Sequence, residues 1–174
     1  MVYDTRGQLI IRNMEQKDAQ AIADAEIKQG WDASAAKYEK RLEDQEAGRS
    51  VSLAAEYSGR PVGYINVYPA SMWGAFGGKG WPEIVDFGVL EAYRNRGIGT
   101  ALMDTAEQIA AAYADTVYLG VGLHSGYGSA QRMYVKRGYI PDGSGIWYRD
   151  RICEPYEACV NDDDLVLYLS KKLN

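Results

Sequence analysis

The sequence predicts an α/β fold in which strands and helices alternate within one domain. Two runs rich in β-forming residues, 51–57 and 62–68, flank a compact turn that contains Gly59, which predicts an antiparallel hairpin. Further along, a mostly apolar run at 83–90 leads into a loop with two glycines, and an amphipathic helical pattern starts at Ile98. An apolar run at 116–123 follows, so the centre of the chain is predicted to be strand, glycine loop, helix and strand.

The remaining elements lie on either side of this centre. A short strand at 9–12 and a helix at 18–29 come first, followed by a helix at 33–47 that begins near Ser34 and ends at Gly48. After the centre, a helix begins at Gly128 or Ser129 and ends at Gly138, where a left-handed cap is expected. Two strands near 146–149 and 165–172 complete the prediction.

Length and composition indicate one soluble globular domain covering residues 1–174. The chain is 47% hydrophobic and 25% charged, which is enough apolar material for one core. The first nine residues are polar and mixed in charge, and no long uncharged apolar run occurs, so we expect a cytoplasmic protein without a membrane segment.

The charged and metal-ligating residues argue against two classes of partner. The net charge is -5 and the basic residues are scattered, which gives no surface for nucleic acid and instead weakly favours a cationic amine. His124 is the only histidine, so no zinc-like cluster is expected and no metal is predicted. Cys153 and Cys159 are predicted to be free thiols, as a reducing compartment would keep them.

The glycine loop is the strongest functional motif in the chain. Unpaired N–H groups at the start of the following helix, together with the helix dipole, form a site for an anion. Glycine permits close approach of a phosphate, and two arginines can add charge-assisted hydrogen bonds. A glycine pair at such a turn can also reflect only tight packing. The loop comprises Arg94, Asn95, Arg96, Gly97, Ile98, Gly99 and Thr100.

Two common phosphate motifs are excluded by the residues after the glycines. A nucleoside triphosphate P-loop has Lys and then Ser or Thr after its last glycine, whereas Gly99 is followed by Thr100 and Ala101. A dinucleotide fingerprint needs a third glycine at position 102, which is Leu102. The loop is therefore expected to bind another phosphate-bearing ligand.

The loop resembles the signature of the GNAT superfamily of N-acetyltransferases, which is Arg or Gln, two residues, Gly, one residue, and Gly or Ala. Residues 94–99 match it at every defined position. The preceding Phe87, Gly88 and Val89, with Tyr93 before the loop, also resemble the family, as does the segment 130–139. Tyr127 is a departure, since many members carry Asn there. The likeness covers essentially the whole chain.

The resemblance implies a GNAT fold with a mixed, mostly antiparallel sheet of about six or seven strands flanked by helices. It also implies acetyl-CoA as co-substrate and the acetylation of a primary amine, on a small molecule or a peptide, by direct transfer in a ternary complex. In the family, the strands on either side of the glycine loop and helix splay apart to admit the pantetheine arm. The residues implied to bind the cofactor are Phe87, Gly88, Val89, Arg94, Asn95, Arg96, Gly97, Ile98, Gly99 and Thr100.

Two residues are candidates for proton transfer. Glu83 occupies the strand position where family members with an identified base often carry Glu, and Asp86 is the second candidate. The alternative for Glu83 is that it pairs with a nearby cation or solvates the strand end. Tyr134 matches the family's tyrosine on the later helix and is expected to protonate the departing thiolate, although a core role is also open.

The remaining histidine and aromatic residues are predicted to pack, to cap or to line the substrate side. His124 is expected to cap or pack rather than act in catalysis. The substrate side is expected to be formed by the two N-terminal helices, Trp31, the loop with Trp73 and Trp81, and the last strands. Tyr64, Tyr68 and Tyr148 could line it too, but core packing is favoured for each. Dimers are common in the family, so a homodimer is left open. The rival function is a CoA-binding sensor without transfer activity.

Overall fold

The computed structural model describes residues 1–173, which form four α-helices and nine strands. The chain divides into two compact units. The first contains Met1–Tyr68 and Ile84–Ile109, and the second contains Pro69–Glu83 and the chain from Ala110 onward.

The first unit contains the first five strands, apart from Glu83 at the start of the fifth, and the first three helices up to Ile109. Its strands follow the order β1-β2-β3-β4-β5, and the three pairings from β1 to β4 are antiparallel. A two-residue turn joins β3 to β4; both Ser58 (φ 49°) and Gly59 (φ 77°) are left-handed, as a type I′ hairpin requires. The elements are β1 (Val2–Arg6), β2 (Leu9–Asn13), α1 (Gln16–Lys28), α2 (Ala35–Glu46), β3 (Val51–Tyr57), β4 (Arg60–Tyr68), β5 (Glu83–Val89) and α3 (Ile98–Ala111).

The two N-terminal helices are fixed to this unit by apolar burial and by one buried ion pair. Asp18 closes a capping box at the start of α1 and binds Arg12 of β2, with a shortest N–O distance of 2.6 Å. Gly48 follows α2 with φ +70°, as the sequence predicts for its end. The buried cluster beneath the helices consists of Met14, Ala19, Ile22, Ala23, Tyr38, Leu42, Ala54 and Tyr64.

The second unit contains the other four strands and the last helix, with an aromatic core. Its strands follow the order β6-β9-β7-β8, and all three pairings are antiparallel. Phe76, Tyr118 and Tyr168 are buried together, with Trp81 and Trp147 packed against them. The elements are β6 (Thr116–Gly122), α4 (Gly128–Lys136), β7 (Ile140–Tyr148), β8 (Arg151–Ile152) and β9 (Leu165–Lys172).

The α/β fold class is confirmed, but the strand number is wrong: nine strands are present where about six or seven were expected. β1 and β8 are not among the strands predicted from the sequence, and β7 begins at Ile140 rather than at the predicted residue 146. β1 is polar and largely exposed, and β8 has only two residues, so neither carries the apolar alternation that marks a strand. All four helices lie where the sequence placed them, to within two residues at the ends given. Across residues 1–173, no helix is long and apolar enough to cross a membrane.

Candidate active site

The glycine loop leads directly into helix α3. Asn95 (φ 60°) and Gly97 (φ 75°) both adopt left-handed backbone conformations, which turn the chain into the helix. The N–H of Ala101 donates to the carbonyl of Gly97 at 2.9 Å and closes the first helical turn. The N–H groups of that first turn have no acceptor within the helix itself, so they are available to an anion.

The two glycines of the motif are needed for different reasons. A Cβ on Gly97 would meet no atom within 4 Å, so the left-handed φ alone requires glycine there, and the space beside it is open. A Cβ on Gly99 would lie 3.1 Å from Cζ of Phe87 and 3.8 Å from Cγ2 of Val89. Tight packing, the simpler interpretation of the pair, therefore applies to Gly99, while Gly97 leaves room for a ligand.

Both arginines of the loop are exposed and lie against aromatic rings. The guanidinium carbon of Arg94 is 5.3 Å from the ring centre of Trp31, and its Nε donates to the carbonyl of Val89 at 3.3 Å. Arg96 lies 5.5 Å from the ring centre of Tyr93. A cavity of about 700 Å³ beside the loop is lined by Arg6, Gln8, Leu9, Tyr57, Arg96 and Gly97.

The backbone of strand β5 leaves the regular strand conformation immediately before the residues predicted to contact the cofactor, and we call this irregularity at Asp86 the bulge. Asp86 has φ 49°, a left-handed conformation in the middle of a strand. Its carboxylate accepts a 2.6 Å hydrogen bond from Nε of Arg41 and lies 3.5 Å from Nζ of Lys37. Beyond the bulge, Phe87, Gly88 and Val89 are half-buried.

Glu83 is a buried carboxylate with only 7% of its surface exposed. The hydroxyl of Ser71 donates to its Oε2 at 2.5 Å. Nearby, burial raises the pKa of Tyr118, and the negative charge of Glu83 adds to the rise. Burial also raises the pKa of Tyr168 to about 12, again with a contribution from Glu83. Sequence reasoning missed Ser71, because nothing links it to a glutamate twelve residues later.

Tyr134 lies on α4, is 6% exposed and packs with Tyr139, the ring centres being 5.8 Å apart. Burial raises its pKa, since the charged phenolate would be poorly solvated, and the neighbouring Tyr127 adds a smaller effect in the same direction. Tyr134 is therefore a protonated hydroxyl at neutral pH, and it is part of the packed interior as well.

His124 and Tyr127 both make contacts that support the local structure after β6. Nδ1 of His124 accepts from the N–H of Gly126 at 3.1 Å, which caps the short 3-10 turn Ser125–Tyr127 as expected for a histidine at a strand end. The hydroxyl of Tyr127 donates to Asp163 at 2.8 Å. Its ring lies against Gly122, where a Cβ would come within 2.3 Å of it. The ring of Tyr127 therefore fits at this place because residue 122 of β6 is a glycine.

The other aromatic candidates differ in exposure. Tyr64 and Tyr148 are buried, as the core-packing interpretation expects, whereas the hydroxyl of Tyr68 is bonded to Arg41 and Asp44. Trp73 is 67% exposed and Trp81 packs on Phe76.

Two further expectations concern cysteines and metals. Cys153 and Cys159 are free thiols, as predicted. Within residues 1–173, His, Cys, Asp and Glu form no group of three or more placed to hold a metal ion.

An open glycine loop at a helix start, beside two arginines, is an arrangement that suits a phosphate-bearing ligand. Residues 13–139 match the model of the acetyltransferase (GNAT) family. Because this span covers more than half of the chain, the protein belongs to the GNAT acetyltransferases. Their co-substrate is acetyl-CoA, whose phosphates suit the exposed N–H groups and arginines of the loop.

Solved structures show the same fold along nearly the whole chain. Ard1 from Thermoplasma volcanium is 18% identical with a TM-score of 0.69, and the alignment covers 96% of this chain and 99% of that one. The acetyl transferase from Salmonella typhimurium that modifies the N-terminal serine of ribosomal protein L7/L12 is 8% identical with a TM-score of 0.73, covering 100% of both chains. Salmonella typhimurium yncA, described as an acetyltransferase with its cofactor acetyl-CoA, is 15% identical with a TM-score of 0.67, covering 97% and 95%. Comparison with curated proteins gives no significant match.

Proposed function

We propose that the protein transfers the acetyl group of acetyl-CoA directly to a primary amine, on a small molecule or a peptide, in a ternary complex. The observation that supports this proposal is that two side chains chemically able to transfer protons, the carboxylate of Glu83 and the hydroxyl of Tyr134, are both buried in the second unit. Direct transfer needs such groups, because the amine must lose a proton and the sulfur must gain one.

The cofactor would be held mainly by backbone groups. The N–H groups at the start of α3, with Arg94 and Arg96, bind the phosphates. The backbone of Phe87 and Val89 binds the pantetheine arm and polarises the thioester carbonyl, which stabilises the negative charge that develops on its oxygen. The complete proposed set is Phe87, Gly88, Val89, Arg94, Asn95, Arg96, Gly97, Ile98, Gly99 and Thr100.

Glu83 is the proposed general base. A free alkylamine has a pKa of about 10 and is protonated at neutral pH, so it must lose a proton before it can attack. Glu83 accepts this proton, through a water molecule, while the hydrogen bond from Ser71 orients its carboxylate. Asp86 is less suited to the role, because Arg41 and Lys37 already bind its carboxylate.

Tyr134 is the proposed general acid. As the amine nitrogen forms its bond to the carbonyl carbon, the carbon–sulfur bond breaks and the sulfur takes the hydroxyl proton of Tyr134. Because the pKa of Tyr134 is raised, its hydroxyl stays protonated until the carbon–sulfur bond breaks. The nitrogen of the ammonium loses two protons through Glu83, one before attack and one as the amide forms, and the sulfur gains one proton from Tyr134. Solvent takes up the protons from Glu83 and reprotonates Tyr134, so one proton is released overall for each acetyl group transferred.

A steady-state assay of thiol release from acetyl-CoA tests the transfer itself. Alkylamines, polyamines, amino acids and peptides with free N-termini serve as acceptors, because the Salmonella typhimurium acetyl transferase of similar fold modifies a protein N-terminus. Amine-dependent thiol release with formation of the acetylated amine is expected. Tight binding of acetyl-CoA without turnover on any amine would instead support a non-catalytic CoA sensor.

Two variants test the proton-transfer roles. Glu83→Gln should lower kcat by about 10²- to 10⁴-fold near neutral pH, and the deficit should shrink as the pH approaches the pKa of the amine, since the amine then loses its proton unaided. Tyr134→Phe should also lower kcat by at least about 10²-fold. Tyr139→Phe is the matched control, because it removes a hydroxyl from the adjacent buried ring and should leave kcat unchanged. A pH-independent deficit in Glu83→Gln would contradict the role as base.

A further inference from the structure

We propose that Arg41 on α2 is a positioning residue for acetyl transfer. By binding Asp86, it holds β5 in the bulged conformation that presents the backbone of Phe87 and Val89 to acetyl-CoA. The inference rests on the proposed function of those backbone groups, and it concerns a residue that does not itself touch the cofactor.

The bulge is a conformation that Asp86 does not adopt without support. A left-handed φ of 49° is rare for a residue with a Cβ, and within a strand it breaks the regular alternation of the backbone. Such a conformation persists only where the surrounding structure enforces it. The bulge also affects the residues that follow it, because it determines which way the N–H and C=O groups of Phe87 and Val89 point.

Arg41 makes the most direct contact with this residue. Its Nε donates to Oδ2 of Asp86 at 2.6 Å, and a second guanidinium nitrogen contacts the same oxygen. The third nitrogen donates to the hydroxyl of Tyr68 at 2.6 Å, and that hydroxyl donates in turn to Asp44 at 2.7 Å. The guanidinium is thereby fixed at both ends, so it can hold the carboxylate in one place.

Other contacts with the bulge are weaker or act on its backbone. Nζ of Lys37 is 3.5 Å from Asp86 and its side chain is 41% exposed, which limits its contribution. The amide of Asn66 donates to the carbonyls of Val85 and Asp86 over longer distances of 3.4 and 3.5 Å. Arg41 is therefore the principal side-chain support of the left-handed residue.

Double variants at positions 41 and 86 distinguish the positioning role of Arg41 from a general loss of stability. Arg41→Met should lower kcat by on the order of 10- to 100-fold, because a small misplacement of the binding groups is enough for that loss. Combining it with Asp86→Gly should recover most of kcat, since glycine adopts positive φ without strain. Combining it with Asp86→Ala should not. Unchanged kcat in Arg41→Met, or equal impairment of the two double variants, would overturn the inference.

The matched control removes Arg12, a buried arginine of the same unit. Arg12 binds Asp18 and Glu56 and supports α1, so Arg12→Met should lower the melting temperature without lowering kcat of the folded protein. Equal loss of kcat in Arg12→Met and Arg41→Met would mean that stability alone is responsible, which also refutes the inference.

A readout that does not depend on turnover separates this inference from the proposed function. The ¹H–¹⁵N signals of Phe87, Gly88 and Val89 should shift in Arg41→Met and return towards their original positions in the double variant with Asp86→Gly. Unmoved signals in Arg41→Met would refute the positioning role, whether or not an amine acceptor is found. A wild-type protein without turnover would refute the proposed function, and these signals would still decide whether Arg41 holds the backbone of β5 in place.

Discussion

Replacing Gly97 by alanine should separate the conformational role of the glycine loop from its role in binding. Gly97 has φ 75° and a Cβ there would meet nothing within 4 Å. Gly59 in the β3–β4 turn has φ 77° and is equally open, so it offers a matched control in the same unit. A left-handed conformation costs a residue with a Cβ about 1–2 kcal/mol. Part of this is offset because alanine reduces the entropy of the unfolded chain by about 0.4–1 kcal/mol.

Both variants should therefore lose about 1 kcal/mol of unfolding free energy, or roughly 2–4 °C in melting temperature. Only Gly97→Ala should weaken acetyl-CoA binding, because the new methyl group occupies the open space at the helix start. Losing one hydrogen bond to a charged phosphate is worth about 1.5–3 kcal/mol. Titration calorimetry should then show a Kd for acetyl-CoA raised by on the order of 10- to 100-fold. Wild-type affinity in Gly97→Ala, with the stability loss present, would refute the assignment of this loop.

Two other predictions concern stability. Gly88→Ala should destabilise the fold by about 1–3 kcal/mol in urea unfolding, because its Cβ would lie 2.7 Å from the buried ring of Tyr64; Gly128→Ala, which meets nothing, should not destabilise it. Tyr168 has a pKa of about 12, above the unfolded value of about 10, so its contribution is present below pH 10 and is lost as pH rises through 12. Tyr168→Phe should therefore flatten the fall in stability between pH 10 and 12, whereas replacing the exposed Tyr113 should leave it unchanged. If the stability of Tyr168→Phe fell as steeply between pH 10 and 12 as that of the wild type, the burial described for Tyr168 would be contradicted. Wild-type stability in Gly88→Ala would likewise contradict the close packing described for Gly88.

Local chemistry made most of the elements predictable. Gly48 and Gly138 end their helices with φ of 70° and 89°, because glycine adopts this conformation without steric cost. The β3–β4 hairpin follows from two β-rich runs around Ser58 and Gly59. β1 was missed because its pairing with β2, rather than any apolar alternation, makes it a strand.

The candidate site was only partly visible in the sequence. The loop from Arg94 to Thr100 could be found because a strand, two glycines and a helix are contiguous in the chain. By contrast, Ser71 meets Glu83 across twelve residues and Arg41 meets Asp86 across forty-five. No local sequence pattern predicts such contacts, since they depend on how separate segments of the chain pack together.

The sequence by itself determined the glycine loop at residues 94–100 and its resemblance to the GNAT family, because both depend on residue types at fixed spacing. Only the tertiary structure decided the different reasons for the two glycines, the bulge at Asp86 and the burial of Glu83 and Tyr134. Backbone conformation within a strand and access of solvent to a side chain are set by residues distant in the chain. For that reason they follow from the fold and cannot be derived from a motif.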